Sequence, residues 1–130
     1  SDAYDRAFTI PKELRKAGVR FCISGANRFG SSNARNLPYH AATASAFGLP
    51  PEEALKAITL YPAQIVGVSD RVGSLEPGKD ATLFVATGDP LEAATQVTAA
   101  YVRGRKVDLT DRHKQLYEKY RTKYDRQNGK

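Results

Sequence analysis

The stretch Gly48-Leu49-Pro50-Pro51-Glu52-Glu53-Ala54-Leu55-Lys56-Ala57-Ile58-Thr59-Leu60-Tyr61-Pro62-Ala63 reads as a proline-bounded helix over about 51–61. Pro50 and Pro51 suit its start, Glu52 and Glu53 favour the positive helix end, and Pro62 closes the pattern. Ala54, Leu55, Ile58 and Tyr61 recur at helical spacing and predict one buried face. The chain then runs through Gly67-Val68-Ser69-Asp70-Arg71-Val72-Gly73-Ser74-Leu75-Glu76-Pro77-Gly78-Lys79-Asp80 into the apolar run Ala81 to Ala86. Pro77-Gly78 fits the central pair of a type II turn, proline fixing φ and glycine supplying φ > 0. A strand follows it.

Working outward, Glu13-Leu14-Arg15-Lys16-Ala17-Gly18 predicts a helix end, and Val19 to Ile23 an apolar strand at about 19–24 that exits into Ser24-Gly25. A helix, a glycine and a buried strand make the step of a parallel α/β fold. Asn36-Leu37-Pro38 predicts another helix, over about 37–47, with Asn36 as its cap. Val97 to Val102 and Lys106 to Leu109 read as strands joined through Arg103-Gly104-Arg105, a tight hairpin. Thr110 to Asn128 predicts an amphipathic helix capped by Thr110 or Asp111, with Leu116, Tyr117, Tyr120 and Tyr124 on one face. That aromatic stripe is expected to dock on the domain while Lys and Arg face water. Binding of nucleic acid through the basic, tyrosine-rich tail ranks below docking, because acids are interspersed.

The central stretch resembles the C-terminal end of the amidohydrolase superfamily, especially its imidazolonepropionase-like and adenine-deaminase-like members. The resemblance is carried by Ala54, Leu55, Thr59, Pro62, Ala63, Gly67, Gly73, Ser74, Leu75, Pro77, Gly78, Lys79, Asp80, Ala81, Leu83 and Val85. Thr82 stands where the family commonly has a second aspartate. The resemblance implies an α/β fold class: the last strand–helix unit of an amidohydrolase (β/α)8 barrel, part of the adjoining small β-sandwich and a C-terminal helix. Residues 1–69 are then the barrel segment, 70–109 the sandwich segment and 110–130 a basic amphipathic tail.

A complete barrel needs roughly 200 residues or more, against 130 here, and no methionine opens the chain. A piece of a longer or processed polypeptide is therefore expected. The absent sheet partners predict self-association, or association with the missing N-terminal part of the parent chain. No run of apolar residues reaches membrane-span length and no signal peptide begins the chain, so membrane partners and a localisation are not implied. One cysteine excludes an internal disulfide, and Cys22 within the apolar strand reads as an inert core thiol. The net charge is +6; from Asp111 onward seven Lys or Arg meet three acids, so the tail carries +4 of it.

In such barrels catalytic residues sit at the C-terminal ends of strands. The resemblance implies an aspartate at the end of the eighth strand, which binds or adjoins the metal and takes a proton from the attacking water. Here Ser24-Gly25-Ala26 occupies that place, and no acid lies between Glu13 and Glu52. The family's other metal ligands, a His-x-His pair and two further histidines among them, have no counterpart: His40 and His113 stand alone in different segments. No catalytic, cofactor-binding or metal residue is assigned, and the zinc of a full-length active relative has no binding site in this sequence. The loop Asn27 to Arg35 is rich in Gly, Ser and Asn; Asn27, Arg28, Asn33 and Arg35 are its candidate residues at a substrate mouth. Neither GxxxxGK[ST] nor GxGxxG occurs. The functional expectation is a C-terminal portion of a metal-dependent hydrolase of non-peptide carbon–nitrogen bonds, inactive alone, or alternatively a noncatalytic binding and assembly module derived from that family.

Overall fold

A computed structural model describes residues 4–25, 30 and 32–129. Its elements are helix α1 (Arg6–Lys16), a 3-10 turn (Ala34–Asn36), helices α2 (Leu37–Ala46), α3 (Pro51–Ile58) and α4 (Leu60–Ile65), strands β1 (Leu83–Ala86), β2 (Val97–Val102) and β3 (Arg105–Lys106), and helix α5 (Arg112–Gln127). The class is α/β. No helix among the described residues is long and apolar enough to cross a membrane.

Alanine decides how the helices meet. Ala41 and Ala44 on α2 face Ala54 on α3, all essentially inaccessible, and such small side chains let two helix backbones approach closely. Leu49 fills the angle between them, and Leu91, from the turn after Pro90, closes the cluster from the other side; Phe21, Ile23 and Ile58 pack around it. The apolar face expected of the central helix is therefore narrower than its spacing predicted. Ala54 is buried and joined by Ala57, while Leu55, Ile58 and Tyr61 are half-buried. Helix α2 ends in a Schellman motif, with the Leu49 amide bonded to the Ala44 carbonyl at 3.0 Å and the Gly48 amide to that of Ser45 at 2.9 Å. Gly48 adopts φ +100° to make it. The helix starts as a continuation of the 3-10 turn, and the Asn36 side chain makes no cap bond.

The single helix expected over 51–61 is two. It breaks at Thr59 (φ −126°, ψ −79°), and α4 carries on to Ile65. Pro62 is the physical cause, since a proline ring collides with the carbonyl four residues earlier, here that of Ile58, and removes the amide that would bond to it. The Thr59 hydroxyl donates to the Leu55 carbonyl at 2.8 Å, which stitches the upstream side of the break. Gly73 lies against the downstream side. A Cβ there would come within 2.7 Å of the Ala63 Cβ and 3.1 Å of both the Leu60 Cα and the Thr59 carbonyl oxygen. The glycine is required by that close approach.

The three strands form an antiparallel sheet in the order β1-β2-β3, with Leu83 opposite Tyr101, Phe84 opposite Ala100, and an irregularity after Val85. The expected hairpin is present: Arg103 and Gly104 both take positive φ, 52° and 77°, the signature of a two-residue type I′ turn. The Pro77-Gly78 turn also forms, with Gly78 at φ +91° and the Lys79 amide bonded to the Glu76 carbonyl at 3.2 Å. The expected strand over 81–86 begins only at Leu83, and that over 106–109 is reduced to Arg105–Lys106.

Two expectations are corrected. Residues 19–25, expected to contain a strand at about 19–24, form no ladder among the described residues; the Ile23 amide donates to the Ala57 carbonyl at 2.9 Å. A strand exists through its neighbours, and among the described residues no strand lies beside this segment. The tail does form the helix, and Asp111 caps it by accepting the Lys114 amide at 2.8 Å. Yet α5 does not dock. Its stripe stays open, with Leu116 37%, Tyr117 64%, Tyr120 47% and Tyr124 56% exposed. Tyrosine tolerates water through its hydroxyl, and the helix is supported by its own turns: Arg121 pairs with Glu118 at 2.6 Å and lies 5.7 Å over the Tyr117 ring.

Candidate functional site

The end of the 19–25 segment is where the sequence directs attention. Ser24 and Gly25 lead towards the loop, and helix α2 returns beside them because Pro38 starts it at its second position. That start places His40 one turn in, at the loop end of α2. Its Cε1 lies 4.0 Å from the position a Cβ on Gly25 would take. The sequence reading gave His40 no site role; the structure brings it to the very end where function was expected. The available signal was the helix start at residues 36–38, which fixes which turn residue 40 occupies.

The four candidate mouth residues fare differently. Asn27 and Arg28 lie outside the described residues. Asn33 is half-buried and held through its backbone, its amide donating to the Gly30 carbonyl at 3.2 Å and its carbonyl accepting from Asn36 at 2.8 Å. Arg35 is exposed on the 3-10 turn. Cys22 is a free, half-buried thiol one residue before Ile23. Among the described residues no three of His, Cys, Asp or Glu gather where they would hold a metal ion. The donor set therefore does not fit a divalent metal, and no reaction step is assigned to one in this chain.

Two polar clusters lie elsewhere. Glu53, in the first turn of α3, accepts the Tyr61 hydroxyl at 2.6 Å, Arg15 Nε at 3.2 Å and Lys56 Nζ at 3.4 Å. The Tyr61 bond, followed by the two cations, holds the Glu53 carboxyl below its ordinary range despite some desolvation. The same bond pushes the Tyr61 hydroxyl up. Lys56 is raised chiefly by Glu52, 2.7 Å away. In the second cluster Asp80 joins Arg71 at 2.8 Å and Arg103 Nε at 3.4 Å, and Arg71 first, then Arg103, holds its carboxyl down. Thr82 accepts the Arg103 amide at 3.2 Å, and the Gly104 amide donates to the Ala81 carbonyl at 2.9 Å. The turn segment thus clamps the hairpin tip, a structural task.

Comparison with known proteins gives these features a setting. The model of the amidohydrolase family matches residues 6–110. The chain is 30% identical over 95 residues to an imidazolonepropionase of Flavobacterium johnsoniae, covering 72% of this chain and 23% of that protein. It is 42% identical over 74 residues to an imidazolonepropionase of Pseudomonas fluorescens, covering 56% of this chain and 18% of the other. A crystal structure of an amidohydrolase from Thermotoga maritima superimposes with a TM-score of 0.71 at 35% identity, over 78% of this chain and 26% of that one. The chain thus spans only about a quarter of the length of these relatives or less. The matched region takes in α1 to α4 and the whole sheet, and stops before α5. The chain belongs to the amidohydrolase family, a family of hydrolase type.

Proposed function

We propose that this chain contributes the last strand–helix unit of an amidohydrolase (β/α)8 barrel and part of the adjoining β-sandwich, and takes part in hydrolysis of a carbon–nitrogen bond of a cyclic or linear amide, of the imidazolonepropionate class, only when joined to the remainder of such a barrel. The observation that carries this reading is that residues 19–23 join no strand ladder among the described residues. The apolar residues of this segment sit on the α3 side of the core, Val19 is 48% exposed, and the Ile23 amide is held by the Ala57 carbonyl. A second uncovered surface supports the same reading: Phe84, Val85, Val97 and Val102 leave the sheet apolar and open. Either a second copy or the remaining barrel polypeptide would cover both. Zinc, which the resemblance implies for an active relative, would have to be held by that other polypeptide.

The test is sedimentation of the 130-residue chain together with an assay of imidazolonepropionate hydrolysis. The expected result is association into a dimer or larger species and no turnover by the chain alone. A monodisperse monomer whose 19–23 amides are protected from exchange, or turnover by the chain alone, overturns the proposal. The noncatalytic binding and assembly module is favoured by one feature, the Ser24-Gly25-Ala26 sequence where the resemblance implies an aspartate. A parent polypeptide that lacks the His-x-His pair and its two later histidines would decide for that reading.

A further inference from the structure

A pocket of about 210 Å³ lies at the other end of the 19–25 segment from His40 and Gly25. It is lined by Arg15 and Gly18 at the end of α1, by Val19, Arg20 and Phe21, and by Tyr61 and Gln64 of α4 with Glu53 behind them. Its polar character is one-sided. Glu53 already accepts three donors, and Tyr61 has committed its proton to it. Arg15 meets Glu53 through Nε, and the terminal nitrogens of its guanidinium are further donors. Arg20 makes no ion pair among the described residues, and Gln64 adds an amide. Glu53 offsets one of the two arginine charges, which leaves the pocket a net positive charge beside the Phe21 and Tyr61 rings.

We propose that this pocket binds a small oxyanion, a carboxylate or a phosphate, through Arg15, Arg20 and Gln64. A planar guanidinium matches the paired oxygens of either group. The negative pole at the C-terminus of α1 opposes an anion here. It is blunted, because the carbonyls of Glu13, Leu14 and Arg15 already accept the amides of Ala17, Val19 and Gly18 at 2.9, 2.9 and 3.0 Å. Glu53 acts as a positioning residue that fixes the Arg15 fork. Arg15, Glu53, Tyr61 and Gln64 line the pocket from α1, α3 and α4, outside the 19–25 segment that the proposed function pairs with another polypeptide.

The experiment is a nuclear magnetic resonance titration of the 15N-labelled full chain with inorganic phosphate and, separately, malonate, at constant ionic strength set with chloride. Saturable shifts confined to the Gly18, Val19, Arg20 and Phe21 amides and the Gln64 side chain are expected. Saturation by phosphate only identifies a phosphate site, and by malonate only a carboxylate site; both support the proposal. Arg20→Gln is expected to weaken binding about tenfold, as loss of a charge-assisted hydrogen bond does, with partial recovery in Arg20→Lys. Linear, unsaturated drift with both anions, or an Arg20→Gln chain that folds normally and titrates like the parent, overturns it.

Discussion

Substituting Gly73 by alanine tests the account of the broken helix. The perturbation has two parts. Gly73 sits at φ +100°, where an L side chain costs roughly 1–2 kcal/mol. In addition, the new methyl would lie 2.7 Å from the Ala63 Cβ and 3.1 Å from backbone atoms of Leu60 and Thr59. These neighbours belong to the helix break and its first turn, so they cannot swing aside as a flexible side chain would. Overpacking of this kind costs about 1–3 kcal/mol, bringing the total to roughly 2–5 kcal/mol. Gly78 supplies the control. Its φ is +91°, yet a Cβ there would meet nothing within 4 Å, so Gly78→Ala carries only the backbone part. Urea unfolding followed by far-ultraviolet circular dichroism measures both variants, and their difference isolates the packing contribution. A small domain holds only about 5–15 kcal/mol in all, so Gly73→Ala should move the midpoint markedly. A Gly73→Ala chain as stable as Gly78→Ala would refute the claim that Gly73 is required by the close approach to Thr59 and Ala63.

Four further outcomes are expected. Glu53 has its pKa lowered, so its contribution to stability is present above the ordinary carboxylate range and fades as pH falls through the depressed value; Glu53→Gln should flatten that acid limb of a stability–pH profile. Tyr61 has its pKa raised, so its bond to Glu53 is fully present below the ordinary tyrosine range and is lost as pH rises through the raised value. Tyr61→Phe should remove this alkaline limb and about 1 kcal/mol of stability at neutral pH, read by urea unfolding. Asp80→Asn should loosen the hairpin tip while leaving the helical core intact, seen as faster hydrogen exchange of the Gly104 amide with unchanged exchange at Leu49. Asp111→Ala removes the cap of α5 and should lower its helicity, read by far-ultraviolet circular dichroism, without altering the rest of the chain.

Much of this arrangement was legible because its causes are local. Pro38, Pro51 and Pro62, the glycines at helix ends, the Pro77-Gly78 turn and the glycine of the hairpin act on their own few residues. Most of the order of helices and strands followed from them, and Asp111 was one of the two cap candidates for α5. The break at Thr59 has its cause in Pro62, three positions on, yet neither the break nor the continuing helix was read from the sequence. The candidate site was less legible. His40 approaches Gly25 across fifteen residues of chain, and Arg15, Glu53 and Tyr61 come from three separate helices, so no spacing in the sequence joins them.

The sequence by itself determined most of the helix–turn–strand order, the family and the lack of an acid where the resemblance implies one. Those properties are written in contiguous residues, in backbone restrictions and side-chain types that hold in any surroundings. Tertiary structure alone decided that residues 19–23 join no ladder among the described residues, that the tyrosines of α5 stay in water and that two arginines share a pocket with Glu53. Pairing, burial and convergence are relations between distant parts of the chain, and a residue carries no local mark of the neighbour it will meet.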